Sequence, residues 1–172
     1  MSSRVPAHIF IGGDVPHSLL PVLFKAVHAE EVGSGMDYNG RFTPEQFITV
    51  DDLLEEVNHN QYLHLMDSKA RNGMLGDLEY FLQNNNISFN RYGDASPGEF
   101  SADVSFFRPG MTEVGTLITD DDGVPVIPAS AAVIAFKALL VGNTHAALTA
   151  LAPFGDHEVP LLPPFKLVDG VE

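Results

Sequence analysis

The chain contains no cysteine, which excludes disulfide frameworks, thiolate metal sites and cysteine nucleophiles. It is also poor in positive charge, with nine Lys and Arg against 23 Asp and Glu and a formal net charge of −14. A phosphate backbone is bound through clustered Lys and Arg, so direct nucleic acid binding is disfavoured and a basic protein partner is favoured. Long hydrophobic runs are missing as well. The nearest approach, Ile127 to Gly142, is interrupted by Lys137 and falls short of the ~18 to 20 apolar residues that a membrane span needs. Met1 to Ile11 lacks the basic start and longer apolar run of a secretory signal, so a cytoplasmic protein with no membrane association is expected.

What is present suffices for a folded domain. Apolar residues make up 45% of 172 positions, and a chain of that length buries most of its unfolded surface without staples. Ala7 to Ile11 reads as a strand, Gly12-Gly13-Asp14 as a turn, and Ser18 to Val32 as a helix with Gly33 as its stop. Gly33 to Gly40 is a loop by composition, and Thr43-Pro44-Glu45-Gln46 carries the residues of a capping box. Thr49 is placed to cap a helix over Val50 to Val57. A strand at Tyr62 to Met66, a polar turn at Asp67 to Gly73, a helix marked by Met74, Leu75, Leu78, Phe81 and Leu82 and ending at Asn84 to Asn86, and a strand at Ile87 to Tyr92 follow, in the order of a βαβ unit. Ala102 to Arg108 alternates like a strand, and Val114 to Thr119 and Val124 to Ile127 flank a hairpin signal at Asp120 to Gly123. Ser130 is a candidate cap for an Ala-rich helix, Ala131 to Val141, with a second short helix at Thr144 to Leu151.

The expected fold class is therefore α+β: a mixed sheet with a βαβ unit and a hairpin, helices packed on one side, and a C-terminal Ala-rich helical segment. A ferredoxin-like plan is one way to connect these elements. One domain is expected over residues 1–152, with a Pro-rich extended tail over 153–172.

The search for chemistry returns mostly absences. Gly12-Gly13-Asp14 lacks the Walker lysine and the dinucleotide-binding spacing. No G-x-S-x-G or S-x-x-K pattern marks a nucleophile. The seven histidines show no metal-ligand spacing, so no metal and no cofactor are expected, and an enzyme is less expected than a binding protein. The run Asp120-Asp121-Asp122 does not fit a calcium loop and reads as a hairpin tip.

Charge distribution supplies the leading functional reading. Glu30 to Asn60 holds eight carboxylates against Arg41 alone, and Asp51 and Glu55, like Asp52 and Glu56, fall one helical turn apart. Together with Glu30 and Glu31 these make a candidate docking surface for a basic partner, an acidic stripe that steers association or imitates the phosphate spacing of DNA. An adaptor or inhibitor is the function this suggests. A second reading places an anionic small ligand, with or without catalysis, at Lys69, Arg71 and Arg91, with Tyr92 and His64 nearby. It requires the strands Tyr62 to Met66 and Ile87 to Tyr92 to be parallel neighbours. A third gives the Ala-rich helix and the tail an assembly role, with a homodimer seam and burial in the chain's own core as the alternatives for that helix.

Overall fold

A computed structural model describes residues 3–34, 49–120, 122–152 and 158–169. Its main sheet has six strands in the order β3-β4-β1-β5-β6-β7. These are β1 (Arg4–Gly12), β3 (Gly33–Ser34), β4 (Leu63–Arg71), β5 (Ser88–Gly93), β6 (Asp103–Phe107) and β7 (Gly115–Ile118). Two further short strands, β2 (Asp14–Pro16) and β8 (Lys166–Val168), pair in parallel. The helices are α1 (Leu20–Ala29), α2 (Val50–Asn60), α3 (Gly76–Asn84), α4 (Ala129–Leu140) and α5 (Thr144–Leu151). The class is α+β, as the sequence pattern implies.

Alternation along β1 decides which side is the core. Val5, Ala7, Ile9 and Ile11 point to one face and are buried, because successive strand residues face opposite ways. Their partners Leu63 and Leu65 on β4 and Phe89 on β5 share that face. It is covered by Leu23 and Val27 of α1, Leu53 of α2, and Leu78 and Leu82 of α3, all in the same core cluster. The opposite face carries His8, Phe10, His64, Asn90 and Tyr92, by the same registers.

The βαβ unit is present in split form. β4 and β5 are each antiparallel to β1, which lies between them, so they run in the same direction without touching, and every pair in the main sheet is antiparallel. Of the ferredoxin-like plan the described residues hold this one split unit, and β5, β6 and β7 continue as a meander. The hairpin signal is realised as a turn, with Asp120 N donating to Val124 O and Gly123 N to Asp120 O.

Several local expectations shift. The polar stretch after Met66 is not a turn: β4 continues to Arg71 because β1 offers it partners out to Arg4, and the reversal falls at Asn72 and Gly73, both with positive φ. α1 stops at Ala29 rather than at Gly33, its exit made by Glu31 at φ 56. Thr49 caps α2 in a reciprocal capping box with Asp52, whereas Pro128, not Ser130, precedes α4. The loop at 35–40 and the capping-box residues at 43–46 lie outside the described residues.

The described part of the tail, 158–169, is extended and strapped onto the domain. Gly13 N donates to Pro163 O at 3.0 Å, Phe165 N to Gln61 O at 2.9 Å and Lys166 N to Gly13 O at 2.9 Å. Leu162 and Phe165 are buried beneath it. Arg108 holds the same strap from the sheet, donating to Leu161 O and Pro160 O while also reaching Phe89 O at 2.8 Å and Asn90 Oδ1 at 2.7 Å.

Gly12 is the point of closest approach, since a Cβ there would stand 2.1 Å from Pro163 O. Gly12→Ala is therefore expected to push the strap away and destabilise the fold by about 1–3 kcal/mol, the usual range for overpacking. The fall in the urea midpoint measures this, and an unchanged midpoint rejects it.

Candidate functional site

The open face of the sheet forms a groove of two lobes. The first, about 590 Å³, is lined among others by His8, Phe10, Tyr92, Asp94, Asp120 and Asp122. The second, about 520 Å³, shares Phe10, Tyr92, Asp122 and Gly123 and is closed by the strap through Pro160, Leu161 and Leu162. Gly123 lines both lobes. It has φ 76, and a Cβ added to it would lie 3.4 Å from the Tyr92 ring, so a residue without a side chain lets the hairpin approach the floor.

The floor is aromatic because β1, β4 and β5 align their outward positions. Phe10 sits opposite both His64 and Asn90. Its ring lies over the His64 imidazole with centroids 4.1 Å apart and planes 8° apart, and meets Tyr92 edge-on at 5.9 Å. His8 is diagonal to His64 across β1 and β4, with His8 Nδ1 3.1 Å from His64 Nε2.

The two imidazoles meet head-on. Their centroids are 5.4 Å apart, longer than the nitrogen separation by about twice an imidazole's centre-to-atom radius, so the lone pair of one nitrogen is aimed at the other. That is the geometry of an N–H···N hydrogen bond and not of two ligands converging on a third point. Among the described residues no group of three metal-ligating side chains occurs. Burial pushes His64 down to about 4, and the neighbouring His8 adds to the shift. His8 is also lowered by burial, partly opposed by Asp94. Both rings are therefore neutral at pH 7, sharing one N–H, and the other nitrogen of His8 is an acceptor or a donor according to which ring donates.

Carboxylates of Asp94, Asp120 and Asp122 rim the first lobe, with no Lys or Arg among its described lining residues. Asp103 borders the lobe as well, but its carboxylate is directed to the helix face, where it pairs with Arg91 at 2.7 Å. Asp120 Oδ1 accepts from the N–H groups of Asp122 and Val124 at 3.1 and 2.9 Å, which fixes the turn and holds that carboxylate beside the groove. The lobe thus combines negative charge with π-faces, which suits a cation.

The residues singled out in the sequence are distributed differently. Of the anion set, His64 and Tyr92 come together through Phe10, but the three bases do not join them. The parallel adjacency they required is replaced by an intervening β1. Arg91 points to the helix face, 3% exposed, where it pairs with Glu79 and Asp103. Lys69 and Arg71 are exposed at the far end of β4, and Arg71 borders a separate mixed-charge hollow with Asp67 and Asp77.

Of the acidic set, Glu30 Oε1 accepts from Asp77 N at 2.6 Å and Leu78 N at 3.1 Å. This caps the N-terminus of α3, where a carboxylate is favoured by the helix dipole. Asp52 is held in the capping box of α2. Glu31, Asp51 and Glu55 are exposed and Glu56 is half-buried.

The His8–His64 pair and its aromatic floor are what sequence reasoning missed. A signal existed: each histidine occupies an outward position between buried neighbours, in Ala7-His8-Ile9 and Leu63-His64-Leu65. Only the strand order makes them partners.

No family model, no curated protein and no solved structure matches this chain.

Proposed function

We propose that the protein is a non-enzymatic interaction module that receives a basic side chain of a protein partner in the groove on its open sheet face. The observation that carries this is the first lobe, where Asp94, Asp120 and Asp122 surround Phe10, Tyr92 and the neutral His8 with no cation among the described lining residues. A guanidinium or ammonium entering there gains Coulomb attraction from the rim and cation–π contact from the floor. The net charge of −14 steers such a partner from a distance. The same partner class on the exposed Asp51 and Glu55 of α2 is the competing location, supported by their spacing on one helical face.

A fluorescently labelled oligoarginine peptide serves as probe. Its affinity is expected to fall about tenfold or more in an Asp94→Asn, Asp122→Asn double variant, and to fall with added salt. Binding should also weaken as the pH drops below the ordinary histidine range, because a protonated His8 repels the incoming cation. If Asp51→Asn, Glu55→Gln costs the affinity instead, the partner docks on α2 and the groove is not the site.

A further inference from the structure

α4 and α5 form a helical hairpin that packs chiefly on itself. Ala135 and Ala147 are its buried residues, Gly142 makes the turn at φ 71, and Asn143 caps α5 by accepting from Ala146 N at 3.0 Å. Its outer surface is apolar. Val133, Ile134, Phe136, Leu139, Leu140, Val141 and Leu148 are each about half exposed or more, with Phe136 at 62% and Leu140 at 70%. Val133, Phe136 and Leu140 follow i, i+3, i+7 and so lie along one stripe.

We propose that this hairpin is the contact surface of a homodimer, with α4 of one protomer against α4 of a second copy along the Val133, Phe136, Leu140 stripe. Charge selects the occupant. Val124 to Ala152 contains no carboxylate and a single base, Lys137, in a chain carrying 23 acidic residues. Two copies of so acidic a chain repel each other, and this is the face on which they meet without opposing carboxylates. Three of the seven exposed apolar side chains form the stripe, and at roughly 100 Å² each they supply on the order of 300 Å² per protomer, the apolar centre of an interface whose standard size is about 800 Å² per partner. A basic protein partner gains nothing from an acid-free surface. An anionic bilayer repels the rest of the chain, and no described helix is long and apolar enough to cross a membrane. The contact is independent of the cation groove and responds oppositely to salt, which screens the repulsion between copies.

Sedimentation across the micromolar range tests it. The wild-type chain is expected to approach dimer mass as concentration rises, more readily at higher salt. Phe136→Glu should weaken association about thirtyfold or more, the scale of a central interface residue, with a melting profile that matches the wild type at concentrations where both are monomeric, because the position is exposed in the protomer. The absence of cysteine permits a second test that does not depend on disruption. Phe136→Cys puts one thiol on each protomer near the two-fold axis and should oxidise to a covalent dimer, whereas Glu55→Cys on α2 should not. A wild-type chain that stays monomeric throughout overturns the proposal, and so does Phe136→Glu dimerising like wild type. A monomer that floats with neutral phosphatidylcholine vesicles overturns it in favour of a lipid surface.

Discussion

Arg91→Met is expected to cost about 3–5 kcal/mol of stability, the usual penalty for breaking a buried ion pair by removing one partner. Arg91 lies on β5, on the face covered by the helices, and its three nitrogens are all engaged. Nε donates to Glu79 Oε1 at 3.1 Å, Nη1 to Asp103 Oδ1 at 2.7 Å and Nη2 to Ser105 Oγ at 2.6 Å. Burial works against its charge, but the Asp103 hydrogen bond and the Glu79 and Asp103 carboxylates more than offset this and hold its proton more firmly than usual. Gly93 leaves room for the guanidinium, since a Cβ there would come within 2.7 Å of Arg91 Nη1.

Methionine fills part of the space yet strands the buried Glu79, whose remaining partner is the Leu75 N–H at the start of α3. The penalty should therefore shrink when the orphaned charge is also removed. Arg91→Met with Glu79→Gln is expected to be more stable than Arg91→Met alone, a non-additivity that a double-mutant cycle in urea reads directly. A loss below about 1 kcal/mol for the single variant would show that the network is not what holds α3 to β5 and β6.

The second large effect is a loss of stability in acid that originates at His64. Its folded-state value of about 4 lies below the ~6.5 of an unfolded chain, so between these limits the unfolded state binds more protons and stability rises with pH. Well above pH 6.5 both states are neutral at this position and nothing is lost. As pH falls the contribution amounts to about 1.4 kcal/mol at pH 5.5 and about 3 kcal/mol near pH 4, below which it levels off. His8, lowered in the same direction, steepens the slope.

His64→Phe keeps an aromatic ring over Phe10 and removes the titration, so its stability should depend less on pH between 6.5 and 5 than that of the wild type. Urea unfolding at pH 7.5 and 5.5 measures the difference. A His64 imidazole that titrates near 6.5 by NMR would contradict the buried, neutral pair.

Periodicity made much of the fold legible. β1 alternates Ala7, Ile9 and Ile11 inward with His8 and Phe10 outward, and that pattern is visible without coordinates because each strand position declares its face through its own side chain. The capping of α2 by Thr49 is equally local. The length of β4 was not, since Asp67 to Arg71 is polar enough for a turn and is extended only because β1 lies alongside. The acidic series read as one surface divides for a similar reason. Glu30 meets α3 across 47 residues of chain, a distance at which sequence proximity carries no information.

Composition alone determined that this chain has no thiol chemistry, is strongly acidic and has a core large enough to fold, because those properties belong to residues one at a time. Strand order is a property of pairs far apart in the chain, and it was decided by tertiary packing. By placing β1 between β4 and β5, it turned Arg91 into a buried clamp, brought His8 to His64, and opened an acid-rimmed aromatic groove on the uncovered side of the sheet.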